Sequence, residues 1–265
     1  MPESILRYLP SVYPHRDKII RFATIDSTNT AAKEMAAHGA PHGTILIADQ
    51  QTGGRGRMGR SFHSPTGQGI YLSLILRPNC PAPQLMHLTC AAGVAVCDAV
   101  EAATGLRPGI KWTNDLVCGT RKLGGILTEL SLDTMGNAAF AIVGIGINCC
   151  QSDGDFPEDI RDIATSLSSV TGTAIDRNRV VASMIVALNE MADTLLTGRD
   201  AMLKQYRLDC VTLGKEISVV TPTLVRHGTA VDIDRTGALL VDFPDGHREA
   251  ISSGEVSIRG MYGYL

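Results

Sequence analysis

Several features are missing from this sequence, and each absence closes a class of function. Its apolar runs are short and broken by polar residues, so none is long enough for a bilayer-spanning helix. Residues 1–18 have neither the basic start nor the long apolar stretch of a secretory signal. A cytoplasmic protein is the expectation. The seven cysteines (Cys80, Cys90, Cys97, Cys118, Cys149, Cys150 and Cys210) are scattered, odd in number and without a CxxC pair. Neither a thiolate metal site nor a disulfide framework is expected, and most read as small buried hydrophobes. The adjacent Cys149 and Cys150 read as strand-end packing. There is no HExxH, no GxSxG, no GxxxxGK[ST], and no GxGxxG that opens a helix. Hydrolysis by a triad and phosphate binding by a P-loop therefore lack sequence support. Charged residues are 19% of the chain, and 24 Lys and Arg against 27 Asp and Glu leave a net charge of −3. Nothing global draws the chain to nucleic acid or an anionic membrane.

What is present reads as a globular α/β protein. Its 265 residues suit one large domain with a small partner, and 44% hydrophobic content can fill a core. Residues 1–18 hold Pro2, Pro10 and Pro14 and form a lead-in with at most a short helix. Residues 21–24, 44–48 and 70–76 read as strands, and Pro78 ends the last. Asp26, Ser27, Thr28 and Asn29 are N-cap types before a helix from Thr30 that Gly39 closes. Leu85, Leu88, Ala92, Ala95, Val96 and Ala99 predict a long helix over 84–103. Segments 116–118 and 125–130 flank a turn at Gly119, and 139–147 is a continuous apolar strand. Residues 153–162 form an acidic loop. Val180 to Met191 marks a second long helix and 201–210 a third. Beyond Val211 the texture becomes short and β-like. Strands at 217–220, 224–225, 229–233, 238–241 and 255–259 suggest a small barrel. The division expected is a lead-in over 1–20, a large domain over 21–210 and a small one over 211–265.

The sharpest feature is the stretch Gln51-Thr52-Gly53-Gly54-Arg55-Gly56-Arg57-Met58-Gly59-Arg60, between two strands. Glycines let the backbone bend closely around a bound group, and the arginine forks suit carboxylate and phosphate oxygens. A second constellation, Lys111-Trp112-Thr113-Asn114-Asp115, sets a cation, an amide and a carboxylate beside a strand. Asp115 is a candidate hard ligand for Mg²⁺. Lys122 precedes Gly124 and Gly125, and it is a candidate bridge between an acyl oxygen and an α-phosphate. Asn148 ends the apolar strand. Glu129, on an otherwise apolar strand, needs a partner if buried and none if it faces solvent. The dispersed histidines supply no clear base. Chemistry run by cationic positioning fits this set better than a protein nucleophile does.

The order of these stretches resembles the biotin–protein ligases, also called biotin–[acetyl-CoA-carboxylase] ligases. The matching segments run from Asp26-Ser27-Thr28-Asn29 through the glycine–arginine loop, Ser64-Pro65-Thr66-Gly67, 111–116, 121–127 and 144–148 to Ala164-Thr165-Ser166-Leu167. The segments at 228–234 and 254–259 resemble that family's small SH3-like domain. The resemblance implies a mixed-sheet α/β (α+β) fold of the class II synthetase-like biotin/lipoate ligase type, with a C-terminal SH3-like barrel. It implies that biotin is activated by ATP as biotinyl-5′-AMP and passed to a lysine of a biotin carboxyl carrier protein.

By motif match, Ser27, Thr28 and Asn29 lie at the ureido end of biotin. Gln51, Arg55, Gly56 and Arg57 line the biotin site. Arg60 joins Arg57 in a loop over the adenylate, and Phe62 supplies a ring beside it. Lys111 neutralises phosphate charge, with Asn114 and Asp115 near phosphate or Mg²⁺. Lys122 contacts the biotin carboxyl and the reacting centre, and Asn148 lies near the adenylate. The catalytic set implied is Arg57, Lys111, Asp115 and Lys122. A homodimer through the catalytic sheet is a further expectation.

Three departures from the family pattern stand out. Thr113 replaces the proline of the usual KWPND, and Phe62 replaces a tryptophan one residue further on. Only about twenty residues precede the match. A winged-helix DNA-binding module does not fit there, and no DNA partner is expected. The rival readings are a lipoate or octanoate ligase, which shares the catalytic fold, a non-catalytic biotin or nucleotide sensor, and a DNA-binding regulator.

Overall fold

A computed structural model of the chain describes residues 2–220, 224–252 and 255–258. The elements run α1 (Pro2–Leu6), β1 (Ile19–Ile25), α2 (Thr28–Ala37), β2 (Ile45–Gln51), β3 (Gly69–Leu76) and α3 (Leu88–Thr104). Next come β4 (Gly109–Lys111), β5 (Asp115–Cys118), β6 (Arg121–Leu132), β7 (Ala138–Asn148), α4 (Leu167–Thr171), α5 (Arg177–Thr194) and α6 (Arg199–Asp209). The chain closes with β8 (Glu216–Val220), β9 (Val225–Ile233), β10 (Leu239–Asp242), β11 (Arg248–Ile251) and β12 (Glu255–Ile258).

Strands β1 to β7 build one mixed sheet in the order β1-β2-β3-β7-β6-β5-β4, in which only β1 and β2 run parallel. Strand alternation sends successive side chains to opposite faces. On β3, Ile70, Leu72, Leu74 and Leu76 enter the main core with α3 and α5, while Ile75 packs under α2 with Leu46, Ile142, Ala32 and Ala36. Helices thus cover both faces, which is why every residue of β3 is buried. Among the described residues the segment Ala82–Thr104, which ends in α3, is long and apolar enough to cross a membrane, but most of it is buried as the core of this layer.

Several local expectations change. Helix α2 begins at Thr28 rather than Thr30, because Ser27 is the N-cap and its Oγ accepts from the Thr30 amide at 3.4 Å. The long helix read over 84–103 begins at Leu88, behind a separate 3₁₀ turn over Ala82–Leu85. Strand β6 starts at Arg121 rather than Gly125, so Lys122 lies within it, paired with Val117 of β5. The separate strands read at 224–225 and 229–233 are one strand, β9, and β11 was not foreseen.

The second sheet is antiparallel, in the order β11-β10-β9-β8-β12. Its inward residues, among them Ile217, Val219, Ala230, Leu239 and Val241, join the same continuous core as the large sheet. Of the last segment expected, β12 covers residues 255–258; Gly254 and Arg259 lie outside the described residues.

Candidate functional site

The site is assembled on the α2 face of the large sheet. Cross-strand register puts Tyr71, Gly146 and Gly125 in one row, and Ser73, Gly144 and Leu127 in the next. The glycines leave room where side chains would stand. A Cβ at Gly146 would lie 2.5 Å from the Phe62 ring, and one at Gly144 would overlap the Asn29 amide. The floor is therefore flat, and Phe62 and Asn29 sit on it. The N-terminus of α2 points its first turn at the same space, which favours polar or anionic groups.

Every site residue expected from the sequence lines one cavity of about 280 Å³. Its closed end is polar. Ser27, Thr28 and Asn29 are almost fully buried. Gln51 Oε1 accepts from the Thr28 amide at 2.8 Å, and Gln51 Nε2 donates to Ser64 Oγ at 3.2 Å. Ser73 Oγ is 2.6 Å from Asn29 Oδ1 and 2.8 Å from Thr28 Oγ1. Glu129 has its partners: Asn29 Nδ2 donates to it at 3.0 Å and Lys33 pairs with it at 2.9 Å. Burial alone would raise the Glu129 carboxyl, but the bonds from Lys33 and Asn29 and the nearby Arg55 hold it below the usual carboxylate range.

The middle of the cavity is cationic. Lys111 is a buried lysine on β4, 6% exposed. Lys122 Nζ lies 2.7 Å from Asp115 Oδ1, over Gly125, where an added Cβ would stand 3.6 Å from that nitrogen. The glycine–arginine loop closes as a small hairpin, with the Gly56 amide donating to the Arg60 carbonyl and the Phe62 amide to the Gly54 carbonyl. Met58 at its tip adopts φ +55°, beside Gly59 at +76°. This fold turns Arg57 inward, where Nη1 donates to Asn114 Oδ1 at 2.8 Å. Arg55, Gly56 and Arg60 line the same wall.

Phe62, Asn148, Ile160, Ile163 and Ala164 also line the cavity. Asn148 Nδ2 donates to the Thr165 carbonyl at 3.0 Å. The Lys122 amide bonds the Ile163 carbonyl, and the Thr165 amide bonds the Lys122 carbonyl, so this segment is stitched to β6. Sequence reading missed Ile160, an apolar residue inside the segment read as an acidic loop, and Ile163 just after it. It also missed Ser73, whose signal was a single serine inside an otherwise hydrophobic strand. Trp112 lines the cavity and donates through Nε1 to the Gly237 carbonyl at 2.9 Å, tying the site to the second sheet. Cys149 is fully buried and Cys150 half-buried just past Asn148.

Asp115 fits poorly as a metal ligand in this arrangement. Its Oδ1 already takes Lys122 Nζ and Asn114 Nδ2, and a cation in contact competes with Mg²⁺ for the same oxygen. Among the described residues no group of three His, Cys, Asp or Glu side chains could hold a metal.

A second cavity, of about 380 Å³, opens beside the first. It lies between the loop at Arg57 and Met58, the middle of β6 at Ile126, Leu127 and Thr128, and the turn at Thr236–Ala238.

Known proteins share this architecture. The biotin/lipoate A/B protein ligase family model matches residues 21–148, and the biotin protein ligase C-terminal domain model matches residues 212–259. The bifunctional ligase/repressor BirA of Bacillus spizizenii is 38% identical over 230 residues, covering 86% of this chain and 70% of its own. The biotin–[acetyl-CoA-carboxylase] ligase of Mycobacterium tuberculosis is 34% identical over 245 residues, covering 88% of this chain and 86% of its own. A solved biotin protein ligase from Aquifex aeolicus, in complex with biotin and ATP, superposes with a TM-score of 0.76 at 31% identity, over 91% of this chain and 98% of that one. With its motifs gathered in one cavity and its relatives alike over most of both lengths, the chain belongs to the biotin protein ligases of the biotin/lipoate A/B protein ligase family.

Proposed function

We propose that this chain is a biotin–[biotin carboxyl-carrier protein] ligase. A biotin carboxylate oxygen attacks the α-phosphorus of ATP, the bond to pyrophosphate breaks, and biotinyl-5′-AMP forms. A lysine amine of the carrier domain of acetyl-CoA carboxylase then attacks the acyl carbon, and AMP leaves with the bonding electrons.

One observation carries the reading. A buried polar group of side chains and a cluster of cations share one cavity, which apolar side chains also line. Two anionic reactants must be brought together, so charge compensation comes first. Lys111 and Lys122 lie where the carboxylate and α-phosphate would meet, and Arg57 and Arg60 close over them. Ser27, Thr28, Asn29, Gln51, Arg55 and Gly56 take the biotin end. Phe62, Asn114 and Asn148 take the adenylate. Once closed, the loop shields a labile mixed anhydride from water. Asp115 orients Lys122 through their 2.7 Å contact. Mg²⁺ enters as the counter-ion of ATP, held chiefly by phosphate oxygens, which is its usual mode of protein binding. The adjoining cavity leaves an approach for the carrier lysine. We place the reaction in the cytoplasm and propose a homodimer through the large sheet. Beyond Gly125, β6 has no strand neighbour on its β5 side among the described residues, which supports that edge as the contact.

The test mixes purified protein, biotin, ATP, Mg²⁺ and a biotin carboxyl carrier domain, and reads biotin on the carrier by mass. One added biotinyl group on one lysine is expected. Preferential attachment of lipoate, whose dithiolane brings no N–H donor to the polar end, would overturn the assignment to biotin.

A further inference from the structure

The closed end of the cavity contains a hydrogen-bond chain whose direction is set from outside the pocket. It begins at Glu129, whose side chain is 26% exposed and paired with Lys33. Glu129 Oε2 and the Leu127 carbonyl both face the Asn29 amide, at 3.0 and 3.2 Å. Both are acceptors only, so the atom facing them is Nδ2, and both its hydrogens are used. Asn29 Oδ1 then faces Ser73 Oγ at 2.6 Å, and an amide oxygen can only accept. The one Ser73 hydrogen is spent on it. Ser73 therefore cannot also donate to Thr28 Oγ1, 2.8 Å away; toward Thr28 it can only accept. The other neighbour of Thr28 Oγ1 is Gln51 Oε1 at 3.1 Å, again an acceptor only. The Thr28 hydrogen is thus directed inward, to Ser73 or to Gln51. What the hydroxyl turns to the cavity is a lone pair.

We infer that Glu129 is a positioning residue for substrate recognition: through Asn29 and Ser73 it holds the Thr28 hydroxyl as an acceptor, so that the closed end takes a ligand carrying N–H donors. This rests on the biotin reading, in which the ureido N–H groups arrive there. Reversing the Asn29 amide would set its oxygen against Glu129 and the Leu127 carbonyl. It would also turn Ser73 to donate to Thr28, leaving Gln51 Oε1, at 3.1 Å and already accepting from the Thr28 amide, as the one inward acceptor for the Thr28 hydrogen. The carboxylate at 129, the closer of the two acceptors, opposes that reversal together with the Leu127 carbonyl. Gly144 completes the device, because any side chain there would displace the Asn29 amide. Lys33 and Arg55 help keep Glu129 ionised, and so acceptor-only, at neutral pH.

The experiment compares wild type, Glu129→Leu and Glu129→Gln in steady-state pyrophosphate release. Substrates are biotin and its cyclic carbonate analogue, in which oxygens replace both ureido N–H groups. Wild type is expected to favour biotin over the carbonate by about tenfold or more in KM, the effect of one unmade hydrogen bond in a buried site. In Glu129→Leu, KM for biotin rises by about tenfold and the preference over the carbonate narrows, while kcat and KM for ATP stay within about twofold. Glu129→Gln, whose amide oxygen still accepts from Asn29, recovers most of the affinity. An unchanged biotin KM and preference in Glu129→Leu overturns the inference. So does a common fall in kcat and both affinities, or a Glu129→Gln variant as impaired as Glu129→Leu. Failure of wild type to use biotin at all would instead overturn the reading on which the inference rests.

Discussion

Lys122 stands on a strand, above a glycine and against a carboxylate, and each neighbour restricts it. Gly125 leaves the space its chain occupies, and Asp115 fixes its ammonium at 2.7 Å. A lysine so held can neutralise charge developing between carboxylate and phosphate without reorganising. Replacing Lys122 by Ala is expected to slow pyrophosphate release by about a hundredfold, measured in a single turnover with saturating ATP and biotin; an unchanged first-step rate rejects the role. Residues of this kind were legible in the sequence because their chemistry is carried by local strings. The glycine–arginine loop and the Lys111–Asp115 segment each announce themselves. Ser73 and Ile163 were not legible. Their function depends on which strand row or loop faces the cavity, and that is a property of sheet register.

At the scale of elements, the site depends on where helices start and where strands are bare. Helix α2 begins two residues earlier than its composition suggests, which places Thr28 and Asn29 in its first turn, over the sheet. Gly144 and Gly146 lie inside a strand whose sequence reads only as continuous and apolar, and they are the floor. Helix α5 shows a second capping device. Asp176 accepts from the amides of Asn178 and Arg179, and the Tyr8 hydroxyl also donates to it. The Tyr8 bond, against a small burial cost, together with those amides and Arg7, holds the Asp176 carboxyl below its ordinary range. A depressed carboxylate contributes stability that is present above its unfolded-state value and is lost as pH falls through its folded-state value. Asp176→Ala should therefore cost about 1 kcal/mol at neutral pH. The gap from wild type should close as the solution is acidified, as read from urea midpoints at two pH values. A gap that stays constant contradicts the cap.

At the scale of the whole molecule, the small sheet is part of the site's foundation. Its interior joins the core of the large sheet. Trp112, next to Lys111, bonds the Thr212 hydroxyl through its amide and the Gly237 carbonyl through its ring nitrogen, both at 2.9 Å. Arg207 reaches Asp232 and the Ile233 carbonyl from α6. The sequence showed the change of texture near residue 211, but not this continuity, because the two Trp112 bonds join residues 100 and 125 positions apart. Gly237 has φ +87°, and a Cβ there would lie 2.9 Å from Cys90 Sγ. Gly237→Ala is expected to lower stability by roughly 1–3 kcal/mol and to reduce adenylate formation with it; a variant as stable as wild type would separate the two sheets energetically. Activation of biotin by ATP in this one cavity is read out by exchange of labelled pyrophosphate into ATP by the purified chain, with no carrier protein present. Exchange that appears only when biotin is added is the predicted result; exchange that is absent with biotin, or that proceeds equally without it, would contradict the account.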